Sequence, residues 1–266
     1  MNTVSTATTT MEATSKRPWY KVVGIRVDGV EMRDAIAQIQ EWIANGWRGN
    51  YVAVTGMHGV SEVLRDPGLR GIINQAGLVV PDGMPLVWLA RWHHIPIQRR
   101  VTGAELMQTF CEQTGSRYRH FFYGGAPGVA EDLAQKLNRR FGIAVAGTYT
   151  PPFRSLTDQE EADVAKLVKD TAPDVLWVGL STPKQERWMY AHRQTLPVAV
   201  MLGVGAAFDM HSDRLTRAPV WVQERGLEWF YRLLSEPRRL WKRYLVLIPR
   251  AAWSVLLELL HIVRYE

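Results

Sequence analysis

The sequence holds a single cysteine, Cys111, so no intrachain disulfide is available. Stability must come from a packed core, as suits a reducing compartment. No uncharged apolar run approaches the roughly 20 residues that a membrane-spanning helix needs. The longest candidate, Thr195 to Phe208, ends at Asp209, and the chain does not read as crossing a bilayer by helices. Residues 1–17 are rich in Thr and Ser, lack the apolar stretch of a secretory signal, and read as a disordered leader. No G-x-G-x-x-G follows the first strand candidate. Gly203-Val204-Gly205 comes late and its third glycine is missing, which disfavours a nucleotide-dependent oxidoreductase without removing it as an alternative. The seven histidines have no zinc spacing, His93 and His94 being adjacent. Neither a metal site nor a cofactor is expected.

What the chain does have is length for one large α/β domain and a charge that is unevenly spread. Of its net +6, the segment Arg214 to Glu266 carries ten basic and five acidic residues, a net +5, while the preceding 213 residues are close to neutral. The same segment holds Trp221, Trp229, Phe230, Tyr231, Trp241, Tyr244, Trp253 and Tyr265. Basic and aromatic side chains on one stretch point to an anionic partner with an apolar side, a lipid surface or a nucleic acid.

From Tyr20 onward, short β-rich runs alternate with helical patterns, the signature of a parallel sheet with crossover helices. The strand candidates are Lys21 to Arg26, Tyr51 to Thr55, Gly77 to Pro81, His120 to Tyr123, Ile143 to Gly147, Asp174 to Gly179 and Val198 to Leu202. Helical periodicity lies between them, as in Val129, Leu133, Leu137 and Phe141, or Val164, Leu167 and Val168. Capping-box patterns start helices at Thr102 with Glu105, Thr157 with Glu160, and Thr182 with Gln185 behind Pro183. After Asp209 the pattern is helical only, broken near Pro219, Pro237 and Pro249. The expected fold is a Rossmann-like parallel sheet with flanking helices over 18–213, plus a basic helical appendage over 214–266.

In such a sheet, ligands bind beyond the carboxyl ends of the strands. Those positions are Thr55-Gly56-Met57-His58, Asp82-Gly83, Gly124-Gly125, Gly179 to Glu186 and Gly203 to Asp209. Their glycines and following helix starts suit a nucleotide or diphosphate, although strand-to-helix turns need glycine with or without a ligand.

The order of motifs adds a resemblance. Val79-Val80-Pro81-Asp82-Gly83, Arg99-Arg100-Val101-Thr102-Gly103, Phe122-Tyr123-Gly124-Gly125, GLSTPKQE over Gly179 to Glu186, Gly203-Val204-Gly205-Ala206-Ala207-Phe208-Asp209, and the stretch from Arg217 to Arg243 stand in this sequence as in the WecG/TagA/CpsF glycosyltransferases, glycosyltransferase family 26. The chain resembles that family from about Lys21 to Leu245. The TGMHG and PDGMP wording is most similar to the exopolysaccharide branch, which includes the glucosyltransferase of xanthan-type assembly. The resemblance implies inverting transfer of a hexose, glucose or an N-acetylhexosamine such as N-acetylmannosamine, from a UDP-sugar to a polyprenyl-diphosphate-linked sugar. It implies a peripheral enzyme at the cytoplasmic face of the plasma membrane, acting in cell-surface polysaccharide assembly and binding no nucleic acid. A nucleic-acid-binding protein using the basic aromatic tail is the alternative from another class.

Inverting transfer needs a base for the acceptor hydroxyl. Asp82 matches the family's catalytic aspartate, although by itself it also reads as a helix cap or an Asp-Gly turn. No Asp-x-Asp occurs in the chain, so stabilisation of the leaving diphosphate is expected from arginine without a metal. Arg100 matches an active-site arginine, and Arg232 and Arg239 match appendage arginines over the phosphates. Lys242 falls where some members have a third arginine, keeping the charge without the bidentate fork. Gln185 matches a polar residue of the active site and equally reads as the far partner of a capping box. Gly124 and Gly125 are expected beside the nucleotide, and Asp209 beside a sugar hydroxyl or capping a turn. Thr55 carries over from the Thr-x-Asn that many members have after the second strand, but the asparagine does not. His58 is the neighbouring residue that either replaces it or is a loop histidine without a role. The last apolar stretch, Tyr244 to Val263, is interrupted by Pro249, Arg250 and Glu258. It either lies in a membrane interface or packs on the body.

Overall fold

The computed structural model describes residues 17–212, 214, 215, 218, 219, 222 and 228–265, without the side chains of Glu228 and Arg239. Residues 1–16 of the expected leader, Arg217 and Gly226 of the C-terminal motif, and the side chain of Arg239 lie outside this set. Arg17 is tied to the body, donating to the Gly77 carbonyl at 2.9 Å.

Strands β1 (Trp19–Val22) and β2 (Ile25–Asp28) form an antiparallel hairpin separate from the main sheet. This corrects the single strand expected over Lys21 to Arg26. Val23 and Gly24 take φ 52° and 73°, the doubly left-handed conformation of a two-residue hairpin turn, and fold that run back on itself. Asp28 ties the hairpin to the body by accepting the Val79 N–H at 2.8 Å.

The remaining strands, β3 (Asn50–Thr55), β4 (Leu78–Pro81), β5 (Arg119–Gly124), β6 (Ala144–Tyr149), β7 (Val175–Gly179) and β8 (Val200–Gly203), build one parallel sheet ordered β4-β3-β8-β7-β5-β6. Each matches its sequence expectation to within one or two residues. The inner strands were legible because helices cover both faces of the sheet, so these strands are continuous apolar runs. Val52, Val80, Phe122, Trp177 and Leu202 face the helices α1 (Met32–Ala44), α5 (Gly103–Thr114) and α6 (Val129–Phe141). On the opposite face Ala53 and Val79 pack on the hairpin with α2 (Met57–Arg65), α3 (Pro67–Asn74) and α4 (Met84–Trp92). Tyr51, Phe121, Leu176 and Met201, also on that face, pack on α7 (Asp158–Thr171) and α8 (Lys184–His192). In α6, Val129, Leu133 and Leu137 are buried, as the periodicity expects; in α7 Val164 and Val168 are, whereas Leu167 is exposed.

Of the three capping patterns, Thr157 with Glu160 forms the reciprocal box, and Thr102 accepts from the Glu105 N–H. The third is corrected. Pro183, rather than Thr182, is the N-cap of α8, and the Thr182 hydroxyl donates instead to Glu186 at 2.8 Å.

After the short α9 (Ala207–His211), helices Glu228–Ser235 and Pro237–Lys242 lead through a π turn, Arg243–Leu247, into a helix over Ile248–Leu259. That last helix packs on the body along one face and leaves another exposed. Ala251 and Val255 are buried in the body's core, and Glu258 accepts the Val23 N–H at 2.6 Å. Trp253, Leu256, Leu260 and Ile262 stay exposed. Among the described residues no helix is long and apolar enough to cross a membrane.

Candidate active site

A cavity of about 590 Å³ opens beyond the carboxyl ends of β4, β3, β8 and β7, four neighbours in the sheet drawn from distant parts of the chain. Its floor is made by the turns after these strands. The Asp82 N–H donates to the Thr55 carbonyl at 2.8 Å, and the Val101 N–H to the Pro81 carbonyl at 2.9 Å. These two bonds place Asp82 between the end of β3 and the Arg100–Thr102 segment. Gly56 permits the close approach, because a Cβ there would stand 2.3 Å from the Asp82 carbonyl oxygen. Asp82 lines the cavity, and the N-cap of α4 is Gly83, so Asp82 is not the helix cap that its sequence also allowed. Thr55 is buried just behind this wall and holds Asp82 through its backbone.

The roof comes from the C-terminal helices, through Trp229, Arg232, Arg243, Tyr244 and Ile248. Arg100, Arg232 and Arg243 are the cations of the described lining, and Asp82 is its carboxylate. His58 adds no charge. Burial first, then the Arg243 and Arg65 guanidinium groups, pull its pKa from 6.5 to about 3, against a hydrogen bond with the Thr182 backbone. The ring is therefore neutral at physiological pH. A net positive pocket with one carboxylate suits a diphosphate and a proton acceptor side by side. Arg232 also meets Glu236 at 3.7 Å, one helical turn along.

Gln185 lines the cavity from the first turn of α8, although only 3% exposed. Its Nε2 donates to Glu186 Oε1 at 3.1 Å, and its Oε1 has no hydrogen-bond partner. Glu186 is 1% exposed, and burial pushes its carboxyl pKa up against the hydrogen bonds from Thr182, its own backbone and Gln185.

The structure thus brings Asp82, Arg100, His58, Gln185 and Arg232 around one cavity, with Thr55 supporting it. Five expected positions fall elsewhere or outside the described set. Gly124 ends β5 and Gly125 follows it, and β5 lies beyond β7. A Cβ on Gly124 would come within 2.7 Å of the Gly179 backbone, so strand packing accounts for that glycine. Asp209 sits on α9 just outside the lining, its carbonyl accepting the Arg214 and Leu215 N–H groups. Lys242 is exposed and its neighbour Arg243 takes the place over the cavity. The side chain of Arg239 is outside the described residues.

Sequence reasoning missed Arg243 and Trp88, and named Trp229 and Tyr244 only as part of the tail. A signal for Arg243 existed: it follows Arg239 by four residues, the spacing that puts two side chains on one helical face. Among the described residues, no group of three or more His, Cys, Asp or Glu side chains converges on a point that a metal could occupy.

Residues 20–264 match the sequence profile of the glycosyl transferase WecG/TagA/CpsF family. Relatives include N-acetylglucosaminyldiphosphoundecaprenol N-acetyl-beta-D-mannosaminyltransferases from three bacteria. That of Bacillus spizizenii is 29% identical over 228 residues, 85% of this chain and 86% of its own. That of Bacillus subtilis is 31% identical over 197 residues, 73% and 74% of the two chains. That of Staphylococcus aureus is 28% identical over 237 residues, 88% and 90%. The oxidoreductase and nucleic-acid readings lose their place to this match. With the profile spanning hairpin, sheet and C-terminal helices alike, the chain belongs to the WecG/TagA/CpsF family and is a glycosyltransferase.

Proposed function

We propose that the protein transfers a hexose, with inversion, from a UDP-sugar to a sugar carried on a polyprenyl diphosphate, at the cytoplasmic face of a membrane. The observation that carries this reading is the cavity itself, with the carboxylate of Asp82 in its floor and the guanidinium groups of Arg100, Arg232 and Arg243 around it. The Asp82 carboxylate takes the proton of the acceptor hydroxyl as the new bond from oxygen to the anomeric carbon forms. The bond from that carbon to the UDP phosphate oxygen breaks, and its electron pair leaves with UDP. The arginines stabilise the charge developing on the diphosphate, a task that fixed cations perform without a metal. The acceptor class follows from the relatives, which act on N-acetylglucosamine joined to undecaprenyl diphosphate. Access to such a lipid is supported by the exposed Trp253, Leu256, Leu260 and Ile262 beside basic residues, a composition suited to lying in a membrane interface.

The test is incubation with UDP-glucose, UDP-N-acetylmannosamine and other UDP-hexoses, and with polyprenyl-diphosphate-linked glucose or N-acetylglucosamine as acceptor. One donor and acceptor pair is expected to give a β- or α-linked product of inverted configuration, insensitive to EDTA. Asp82→Asn is expected to lower the rate by about 10²–10⁴-fold, the usual worth of a general base. UDP binding and the far-ultraviolet spectrum should be unchanged. Near-normal turnover by that variant would remove Asp82 from the chemistry.

A further inference from the structure

Helix α4 is apolar on both sides. Leu86, Val87 and Ala90 are buried in the core that also takes Ala251 and Val255 of the last helix. At about 3.6 residues per turn, Pro85, Trp88 and Trp92 fall on the opposite face, and all three are exposed, the two indoles at 59% and 67%. A helix on the surface of a globular domain ordinarily turns polar residues outward. The one charged residue of α4, Arg91, donates instead to the Ile97 and Gln98 carbonyls at 3.1 and 3.3 Å. Among the described residues before Trp229, the other exposed large apolar side chains, Trp19, Val145, Phe153 and Leu167, stand on four separate segments. Trp88 and Trp92 alone share one helix.

Charge and position indicate what kind of surface covers this face. From Gly83 to Ala104 the chain holds no Asp or Glu, but carries Arg91, Arg99 and Arg100. Asp82, just before that stretch, lines the cavity. Glu31, which reaches it from the start of α1, accepts the Gln98 and Arg99 N–H groups at 2.6 and 3.1 Å. Exposed indoles beside arginine suit an anionic lipid surface, because the ring settles among the headgroups with its N–H toward water while the guanidinium groups attract phosphate.

Trp88 also lines the cavity, together with Trp229, Tyr244 and Ile248 of the C-terminal helices. Helix α4 therefore borders the cavity on the side of the floor, and the last helix borders it on the side of the roof. Both helices cover one core on one face of the sheet. Their outer sides, with Trp88 and Trp92 on one and Trp253, Leu256 and Leu260 exposed near the other, look away from that same face.

We propose that α4 is a second membrane contact, through which the α/β body itself, and not only its C-terminal helices, rests on an anionic lipid surface. The proposal deepens the transfer reading and rests on it for the presence of a membrane. Held at two points, the cavity faces the headgroup layer, where the diphosphate of a lipid-linked acceptor lies.

The chain's own cysteine content makes a direct test available. Cys111 is the single cysteine, it is buried, and burial pushes its thiol pKa up to about 12, so it resists labelling. A cysteine introduced at an exposed position of the full chain then carries an environment-sensitive nitrobenzoxadiazole fluorophore selectively. Three labelled chains are compared: Trp92→Cys, Trp253→Cys and, on the exposed side of α6 across the sheet, Gln135→Cys. With vesicles of equal parts phosphatidylcholine and phosphatidylglycerol, the fluorophores at 92 and 253 are expected to shift to the blue and brighten by roughly twofold or more, while that at 135 is unchanged. A response at 253 without one at 92 would overturn the proposal and leave the C-terminal contact standing. A response at neither position, or an equal response at all three, would overturn both contacts. Shielding at 92 that grows with protein concentration in the absence of vesicles would show that a second copy covers α4, and would overturn the proposal too. Failure of the transfer reading is seen separately, as the absence of turnover with every UDP-sugar, and does not alter these spectra.

A second measurement uses no label. Trp92→Ser is expected to lower co-sedimentation with the same vesicles by about fivefold and to leave the melting temperature unchanged, because the side chain is outside the core. Trp92→Tyr, which keeps an interfacial ring, should recover most of the binding. Equal binding by Trp92→Ser and the natural chain, or no recovery in Trp92→Tyr, would overturn the proposal.

Discussion

The floor and the roof of the cavity are built by different means. In the floor, Asp82 follows β4 and Arg100 lies in the segment before α5, and backbone hydrogen bonds fix both stretches, Asp82 N–H to Thr55 and Val101 N–H to Pro81. Their positions depend little on what side chains they carry. In the roof, Arg232 and Arg243 ride on short helices separated by Pro237 and by a π turn. They are held by side-chain packing further along, chiefly Ala251 and Val255 in the body's core. The two regions also differ in what they show to solvent. Of fifteen exposed large apolar side chains among the described residues, nine lie in the stretch from Trp229 to Ile262. This clustering is the exposed apolar surface on which the proposed contact with a lipid-linked substrate rests. The difference puts the proposed base in the half set by backbone hydrogen bonds, and the proposed phosphate and lipid contacts in the half attached by side-chain packing.

The comparison is sharpened most strongly by the roof's cations. Arg243→Ala is expected to lower transfer by roughly 10- to 100-fold, as the loss of a charge-assisted hydrogen bond to phosphate. Lys242→Ala should stay within about threefold. Steady-state rates at saturating donor would show it, and the reverse ranking would mean that the roof presents Lys242 when substrate is bound. The apolar surface comes next. Replacing Trp253, Leu256, Leu260 and Ile262 together by Ser is expected to reduce co-sedimentation with anionic liposomes by roughly tenfold, with little change in melting temperature, because these side chains are not in the core. An equal loss of melting temperature would show that they pack on the body. At equal salt, tighter binding to an oligonucleotide than to liposomes would break the comparison altogether.

The smallest effect concerns pH at the seam between floor and roof. An unfolded chain protonates His58 near 6.5, whereas the folded protein resists protonation until about 3. The unfolded state binds more protons in that window, so stability is lost as pH falls through it. His120, buried in the core with a pKa lowered to about 4, acts in the same direction. His58→Asn should therefore flatten part of the decline in stability between pH 6.5 and 4, measured by urea unfolding, and leave His120's share. An unchanged slope would place His58 in a wetter setting than the structure gives it.

Much of this was legible locally. Central strands read as apolar runs since both faces are covered, and the Thr157 box is a matter of four consecutive residues. The expected strand over Lys21 to Arg26 failed because Val23 is β-branched and its left-handed turn conformation is imposed by packing, with Glu258 binding its N–H from the far end of the chain. Thr182 carried the letters of a capping box, but its hydroxyl went to Glu186. In the site, Asp82, Arg100, Gln185 and Arg232 were found from motifs, whereas Arg243 was not, because its spacing from Arg239 puts both on one helical face without saying which face covers the cavity.

Composition, periodicity and motif order by themselves determined the α/β class, the near-neutral body with its basic aromatic tail, and the family. Each of these depends on what a residue is and on its near neighbours. The tertiary structure alone decided which strand ends adjoin. Gly124 and Gly125 look like the other strand-end glycines in sequence, yet the order β4-β3-β8-β7-β5-β6 leaves them outside the cavity and gathers Asp82, Gln185 and Gly205 within it. It also decided which face of the last helix is inside. Hydrophobic burial is non-directional, so an apolar helix states that it will be covered, and only the shape of the body determines where.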